Sequence, residues 1–309
     1  MFFPWLALLP VAIAPVDSTV RSIVAAPAES LRVTTSGPET GPVVVIIPGI
    51  VSPAYAFRHV LPPLAAEGIR TVVIEPLGFG QSSRPGDASY SFTSQAIRVA
   101  AVMDSLGAGH AVVLGHVAGA AIALRLALLR PDLVARLLLV EGGAAESAAV
   151  PTVRKVLKFA PLVRIFSGRG RVRKEVRKGL VSSSGDTTWV TDSVVGYYTE
   201  GQAGDVSALL RAFRGMQRAV EPDSLVPQLH SVAMPVRLLL GAAPHNTGMG
   251  QNRIRELEDH LPALTIDSIA GAGMHINEEQ PQVIVAALER EVQEDHRDAE
   301  CTGPHPTHD

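Results

Sequence analysis

"VLGHVAGAAIALRLALLRPDLVARLLLVEGG", residues 113–143, decides the fold. The apolar run "HAVVLG" (110–115) reads as a buried strand, "GAAIALRLALLRP" (119–131) has helical spacing, and "ARLLLVEGG" (135–143) is a second apolar strand. Strand, turn, helix, strand is the repeating unit of a parallel sheet covered by helices. The turn between the first two elements is His116-Val117-Ala118, and Gly115 and Gly119 flank it, the residues a chain uses where neighbouring backbone comes very close.

The same alternation extends outward in both directions. "PVVVIIPG" (42–49) and "RTVVIEPLGFGQSS" (70–83) each open with a strand, and "AYAFRHVLPPLAAEGI" (54–69) carries a helix between them. "SFTSQAIRVAAVMDSLG" (91–107) is a helix with Ser91 or Thr93 as N-cap and Gly107 as its stop. Later, "MPVRLLLG" (234–241) and "LTIDSIAG" (264–271) are strands on either side of the helix "NRIRELEDHL" (252–261), and "EEQPQVIVAALEREVQ" (278–293) closes the domain. The expected architecture is α/β: a mostly parallel, doubly wound sheet with helices on both faces, made of residues 31–146 and 227–295. Residues 147–226 interrupt the alternation with helical pattern alone and are read as an inserted helical cap.

A chain of 309 residues with 47% hydrophobic residues is able to bury a substantial core. The net charge of −3 gives no basic excess of the kind that nucleic-acid binding calls for, so nucleic acid is not expected as a partner. The single cysteine, Cys301, excludes a disulfide framework or a thiolate metal site within one chain. No metal and no cofactor is expected. Residues 296–309 hold His296, His305 and His308 among polar residues and prolines, and composition favours a disordered, solvated tail over a metal site.

Residues 1–30 form an apolar N-terminal segment whose core is too short for a bilayer-spanning helix, which needs about 20 residues. It has the small residues of a signal-peptide cleavage site at Ala12 and Ala14 but no Lys or Arg before the apolar core. An exported or membrane-associated protein and a cytoplasmic one fit it equally well. Within the cap, residues 154–178 hold ten cations (Arg154, Lys155, Lys158, Arg164, Arg169, Arg171, Arg173, Lys174, Arg177 and Lys178) against Glu175. A solvated helical face explains that run as well as an anionic membrane surface or a gate for an acidic ligand does. The sequence leaves the oligomeric state open.

Four segments in this order resemble the α/β-hydrolase superfamily of the serine-hydrolase type, over about residues 31–295. "EPLGFGQSS" is similar to its D-x-P-G-x-G-x-S loop, and "GHVAGAAIALRLALLRP" to the nucleophile elbow G-H-S-x-G with its helix. "MPVRLLLG" resembles the strand that presents the catalytic acid, and "GAGMHINEEQP" the segment that carries the catalytic histidine. The resemblance implies a nucleophile–acid–histidine triad, and here it places Val117, Pro244 and Met274 at those positions. No Ser, Cys, Thr or Asp occurs between His110 and Ala121, and no Asp or Glu between Leu238 and Arg255. In the register of the haloalkane dehalogenase subgroup, His275 takes the histidine position and Glu141 the acid position. The oxyanion donors implied are the backbone N–H groups of Ile50 and Ala118, with Gly49, His116 and His245 around the pocket.

Loss of the nucleophile costs a serine hydrolase on the order of 10⁶ in turnover, about 8 kcal/mol of barrier. The first expectation is therefore a hydrolase-like pseudoenzyme with a degenerate triad, binding a small apolar or acidic ligand or a partner beneath the cap. The alternatives are an enzyme with a His275/Glu141 general-base dyad acting on an ester, lactone or similar small substrate, and a membrane-surface binding protein.

Overall fold

The apolar runs form one sheet in the computed structural model, which describes residues 18–148, 154, 157, 158, 169–203, 205–245 and 248–302. Its strands are β1 (Thr19–Ala26), β2 (Glu29–Ser36), β3 (Val43–Ile47), β4 (Arg70–Glu75), β5 (Ala111–His116), β6 (Val134–Val140), β7 (Val236–Gly241) and β8 (Leu264–Ile269). They lie in the order β1-β2-β4-β3-β5-β6-β7-β8. The hairpin β1–β2 and the pair β2–β4 are antiparallel, and all other pairings are parallel.

The hairpin corrects the boundary read from sequence. Thr19–Ala26 belongs to the sheet, not to an N-terminal segment, and residues 1–17 lie outside the described residues. "TVRSIVAA" gave no continuous apolar signal because it is an edge strand, with Val20 and Val24 exposed.

Described helices are α1 (Leu61–Ala66), α2 (Phe92–Ser105), α3 (Ala118–Leu129), α4 (Arg169–Ser183), α5 (Asp192–Ala203), α6 (Val206–Arg218), α7 (Gln251–His260), α8 (Ile276–Glu279) and α9 (Pro281–Thr302). Strand periodicity sorts side chains to two cores: Val45 and Ile47 meet α2, α3 and α7 on one face, while Val44 and Ile46 meet α1 and α9 on the other. Ser91 caps α2, its hydroxyl accepting from the Ser94 N–H. None of these helices is long and apolar enough to cross a membrane.

α9 runs on through 296–302, a stretch whose composition suggested a disordered tail. Ion pairing accounts for the difference: Arg136 on β6 holds Glu291, Glu294 and Asp298 of this helix at 2.6–2.7 Å, so its polar face is tied to the sheet. Residues 303–309, with His305 and His308, lie outside the described residues.

α4, α5 and α6 lie between β6 and β7, where the cap was expected. Part of the cationic run serves the cap itself, since Arg173 and Arg177 donate to Asp192 and Val190. Lys155 and Arg164 lie outside the described residues. Both roots of the insertion converge on Arg125 of α3. This buried guanidinium lies 2.8 Å from Asp223, 3.4 Å from Glu221 and 3.7 Å from Glu146. Glu146 in turn accepts from the N–H groups of Leu225 and Val226, and Glu221 from those of Phe92 and Thr93.

Candidate active site

β5 and α3 are joined by one residue, Val117, whose φ of 52° and ψ of −110° lie where L residues rarely go. A β-branched side chain there carries strain of about 1–3 kcal/mol. Crowding enforces the turn: a Cβ at Gly119 would stand 2.0 Å from the Ile47 carbonyl oxygen, so only glycine lets α3 begin so close to β3. The Val117 N–H donates to the Val140 carbonyl at 2.9 Å. The sharp elbow is therefore intact, and it presents an aliphatic side chain that neither attacks nor transfers a proton.

The loop after β3 lies against this turn. A methyl built on Gly49 would be 3.5 Å from the Val117 Cβ. Ile50 in that loop is buried, and Ala118 opens α3, so its N–H is among those a helix leaves without an internal acceptor.

His275 is buried, and its Nε2 lies 2.9 Å from the hydroxyl of Ser183, the last residue of α4. That hydroxyl is also 2.8 Å from the Gly179 carbonyl. The assignment that satisfies both contacts has Ser183 donating to Gly179 and His275 Nε2–H donating to Ser183. Nδ1, which a triad histidine directs at its acid, has no hydrogen-bond partner among the described residues. Around the ring stand Trp189 at 5.2 Å, His116 at 6.2 Å and Tyr198 at 6.5 Å between centroids. Burial, followed by the nearby His116 and His245, pulls the His275 pKa down to about 3. Burial likewise lowers His116 to about 4, its Nε2 meeting the Met274 carbonyl at 3.2 Å. Met274 contributes backbone alone to these contacts, its N–H donating to Ser183 O.

Glu141 faces a different imidazole. One carboxylate oxygen accepts from the Gly241 N–H, and the other lies 3.5 Å from His245 Nε2, whose Nδ1 donates to Ala243 O at 2.8 Å. Burial raises the Glu141 pKa. Its φ of 50° makes it the second strained residue at this end of the sheet, after Val117. No hydrogen bond or ion pair joins Glu141 to His275, so the dyad expected from sequence is split into Glu141–His245 and His275–Ser183. Pro244, beside His245, is exposed.

Several groups that sequence reasoning missed complete the site. Glu278 accepts from Tyr198 Oη at 2.9 Å and from Arg58 at 2.8 Å. Glu279 takes the N–H groups of Gly185, Asp186 and Gly273, fastening the end of α4 to the histidine loop. His116 Nδ1, Trp189 Nε1 and one Glu278 oxygen are buried without a hydrogen-bond partner among the described residues, an unusual concentration of unpaired polar atoms. Glu278 and Glu279 were visible as the "EE" of "NEEQP", but Ser183, Trp189 and Tyr198 sit in the insertion, where no spacing marks them.

A parallel sheet with a strand–elbow–helix at its centre and a helical insertion after β6 defines the class, and this chain has the α/β-hydrolase fold. The family profile described as alpha/beta hydrolase fold matches residues 42–166. The chain is 25% identical over 242 residues to the uncharacterized hydrolase YugF of Bacillus subtilis, covering 78% of this chain and 86% of that protein. To epoxide hydrolase B of Mycobacterium tuberculosis it is 39% identical over 95 residues, 30% of this chain and 27% of that one. Among solved structures, Cfl2 from Burkholderia cenocepacia superposes with a TM-score of 0.71 at 23% identity, over 88% of this chain and 95% of that one.

Proposed function

We propose that this protein is a hydrolase-fold receptor that has given up acyl-enzyme chemistry and binds a small ligand, with an apolar body and a polar end, between the cap and the elbow. The observation that carries the reading is Val117: the strained turn that once served a nucleophile persists around a side chain without a heteroatom. Support comes from the cap, whose Ser183 occupies His275 Nε2, and from the His116 and Trp189 ring nitrogens, which lack partners among the described residues and offer a ligand hydrogen bonds. Without a triad, the donors of an oxyanion hole yield only about 10³- to 10⁴-fold over water. The test is fluorophosphonate labelling, with mass spectrometry of small molecules released on denaturation. The expected result is a released ligand and no adduct; a covalent intermediate on any side chain of the wild type overturns the reading. Val117→Ser alone is expected to stay unlabelled, because His275 is held by Ser183.

A second reading rests on Glu141 and His245. A buried carboxylate with a raised pKa facing an imidazole is a proton-transfer pair in search of a substrate, and hydrolases are among the relatives. Panels of esters, lactones, epoxides and haloalkanes decide: turnover abolished by Glu141→Gln favours this enzyme over the receptor. Turnover lost with His275→Ala but retained with Glu141→Gln refutes the pair.

A further inference from the structure

A different part of the cap carries an unused set of charges. α6 buries Ala212, Phe213 and Met216 against the core face shared with α2 and α3. On its exposed side stand Arg211, Arg214 and Arg218, at spacings of three and four that align them in one stripe. The helix lies directly on the Tyr90 ring: a Cβ at Gly215 would come within 2.5 Å of it. Tyr90 is itself anchored, its Oη donating to the Pro85 carbonyl at 2.8 Å. Between the helix and the 86–90 loop a cleft of about 610 Å³ opens, with the three guanidinium groups, Ser89 and Tyr90 on its walls and Val220, 84% exposed, at its rim.

None of these three arginines has an ion pair or hydrogen bond with the described residues. By contrast Arg98, Arg125, Arg136 and Arg237 each hold at least one carboxylate. The acids near the cleft are committed elsewhere: Asp205 caps α6, and Glu221 holds the head of α2 and Arg125. Asp87 in the facing loop sets one negative charge against three positive ones. Like charges one turn apart on a helix repel, and guanidinium forks match phosphoryl oxygens two at a time.

We propose that this cleft is a binding site for a phosphoryl group carrying two or more negative charges, on a soluble metabolite or on a lipid headgroup. The site is separate from the His275 region, whose neighbours Trp189 and Tyr198 pack in the core of the opposite sheet face.

The experiment is calorimetric titration of the full chain with inorganic pyrophosphate at low ionic strength. Saturable binding is expected, weakening as sodium chloride is raised, because the cations are exposed and screened. The triple variant Arg211→Ala, Arg214→Ala, Arg218→Ala is expected to lose at least tenfold in affinity with unchanged circular dichroism. If that variant misfolds, the triple lysine variant, which keeps charge and loses the fork, should show an intermediate loss. Sedimentation with vesicles containing phosphatidic acid but not with phosphatidylcholine vesicles, competed by pyrophosphate and lost in the triple variant, assigns the group to a lipid. Pyrophosphate binding without vesicle binding assigns it to a soluble compound. No saturable pyrophosphate binding, or binding that survives the triple alanine change, overturns the proposal. Vesicle binding that survives that change overturns the assignment of the cleft to a lipid headgroup.

Discussion

The elbow and the histidine loop are fixed in opposite ways. At the elbow the backbone is constrained and the side chain is an inert valine; at the histidine loop the imidazole is held through a side-chain contact, to the hydroxyl of a cap serine. The difference follows from what enforces each. Backbone atoms of β3 crowd Gly119 and hold the turn whatever residue stands at 117. The role of His275 depends on which groups reach its two nitrogens, and those groups come from separate, exchangeable segments.

Gly119→Ala breaks the elbow side of this comparison with the largest effect. A methyl forced to 2.0 Å from a backbone oxygen should cost about 3 kcal/mol or more in urea denaturation. A loss below about 1 kcal/mol would show that the turn is not held by crowding.

Acid titration probes the histidine side. His275 and His116 titrate at about 3 and about 4 when folded, against an ordinary value of 6.5. Between those values the unfolded chain binds more protons, so their contribution is complete above pH 6.5 and is lost as pH falls. By pH 4 each should cost on the order of 3 kcal/mol. Burial raises Glu75, Glu141 and Glu278, which act in the opposite sense, so the informative curve is wild type minus His275→Gln. That difference should be flat above pH 6.5 and fall as the pH drops from 6.5 toward 3, and identical slopes of the two curves would mean that His275 is not buried neutral.

Ser183→Ala removes the cap's bond to His275 and strands a buried N–H. It should destabilise by about 2 kcal/mol and speed hydrogen exchange at the end of α4. Smallest is Val117→Gly: deleting a half-buried valine normally destabilises, yet here relief of the positive φ should give a net gain of about 1 kcal/mol. A loss would mean that the valine packs well enough to outweigh its strain.

Much of this was legible in the chain. The central strands announced themselves as unbroken Val, Ile and Leu runs because parallel strands are buried on both faces, and the glycines at 115 and 119 marked the elbow. β1 escaped notice because its outer side is wet, and α9 ran longer than its composition suggested because Arg136 reaches it from a distant strand. Within the site, Val117 at the turn and His275 in the loop before α8 were readable from the segments that hold them. What the sequence did not disclose was pairing: Glu141 was matched with His275, whereas the fold sets it opposite His245 and gives His275 to Ser183. Such pairings join residues about a hundred positions apart, and no local pattern records them.

Arg125 has a consequence for the insertion as a whole. Since the outgoing and returning chains of 147–226 meet at one cation, the segment behaves as a closed cassette whose interior can be lengthened, shortened or exchanged at an entropic cost that grows only logarithmically with length. Any such exchange would also have to preserve what the interior gives to the rest of the fold, Ser183 against His275, Tyr198 against Glu278 and Phe213 in the core, so the roots set where the cassette attaches and its interior sets what the site contains.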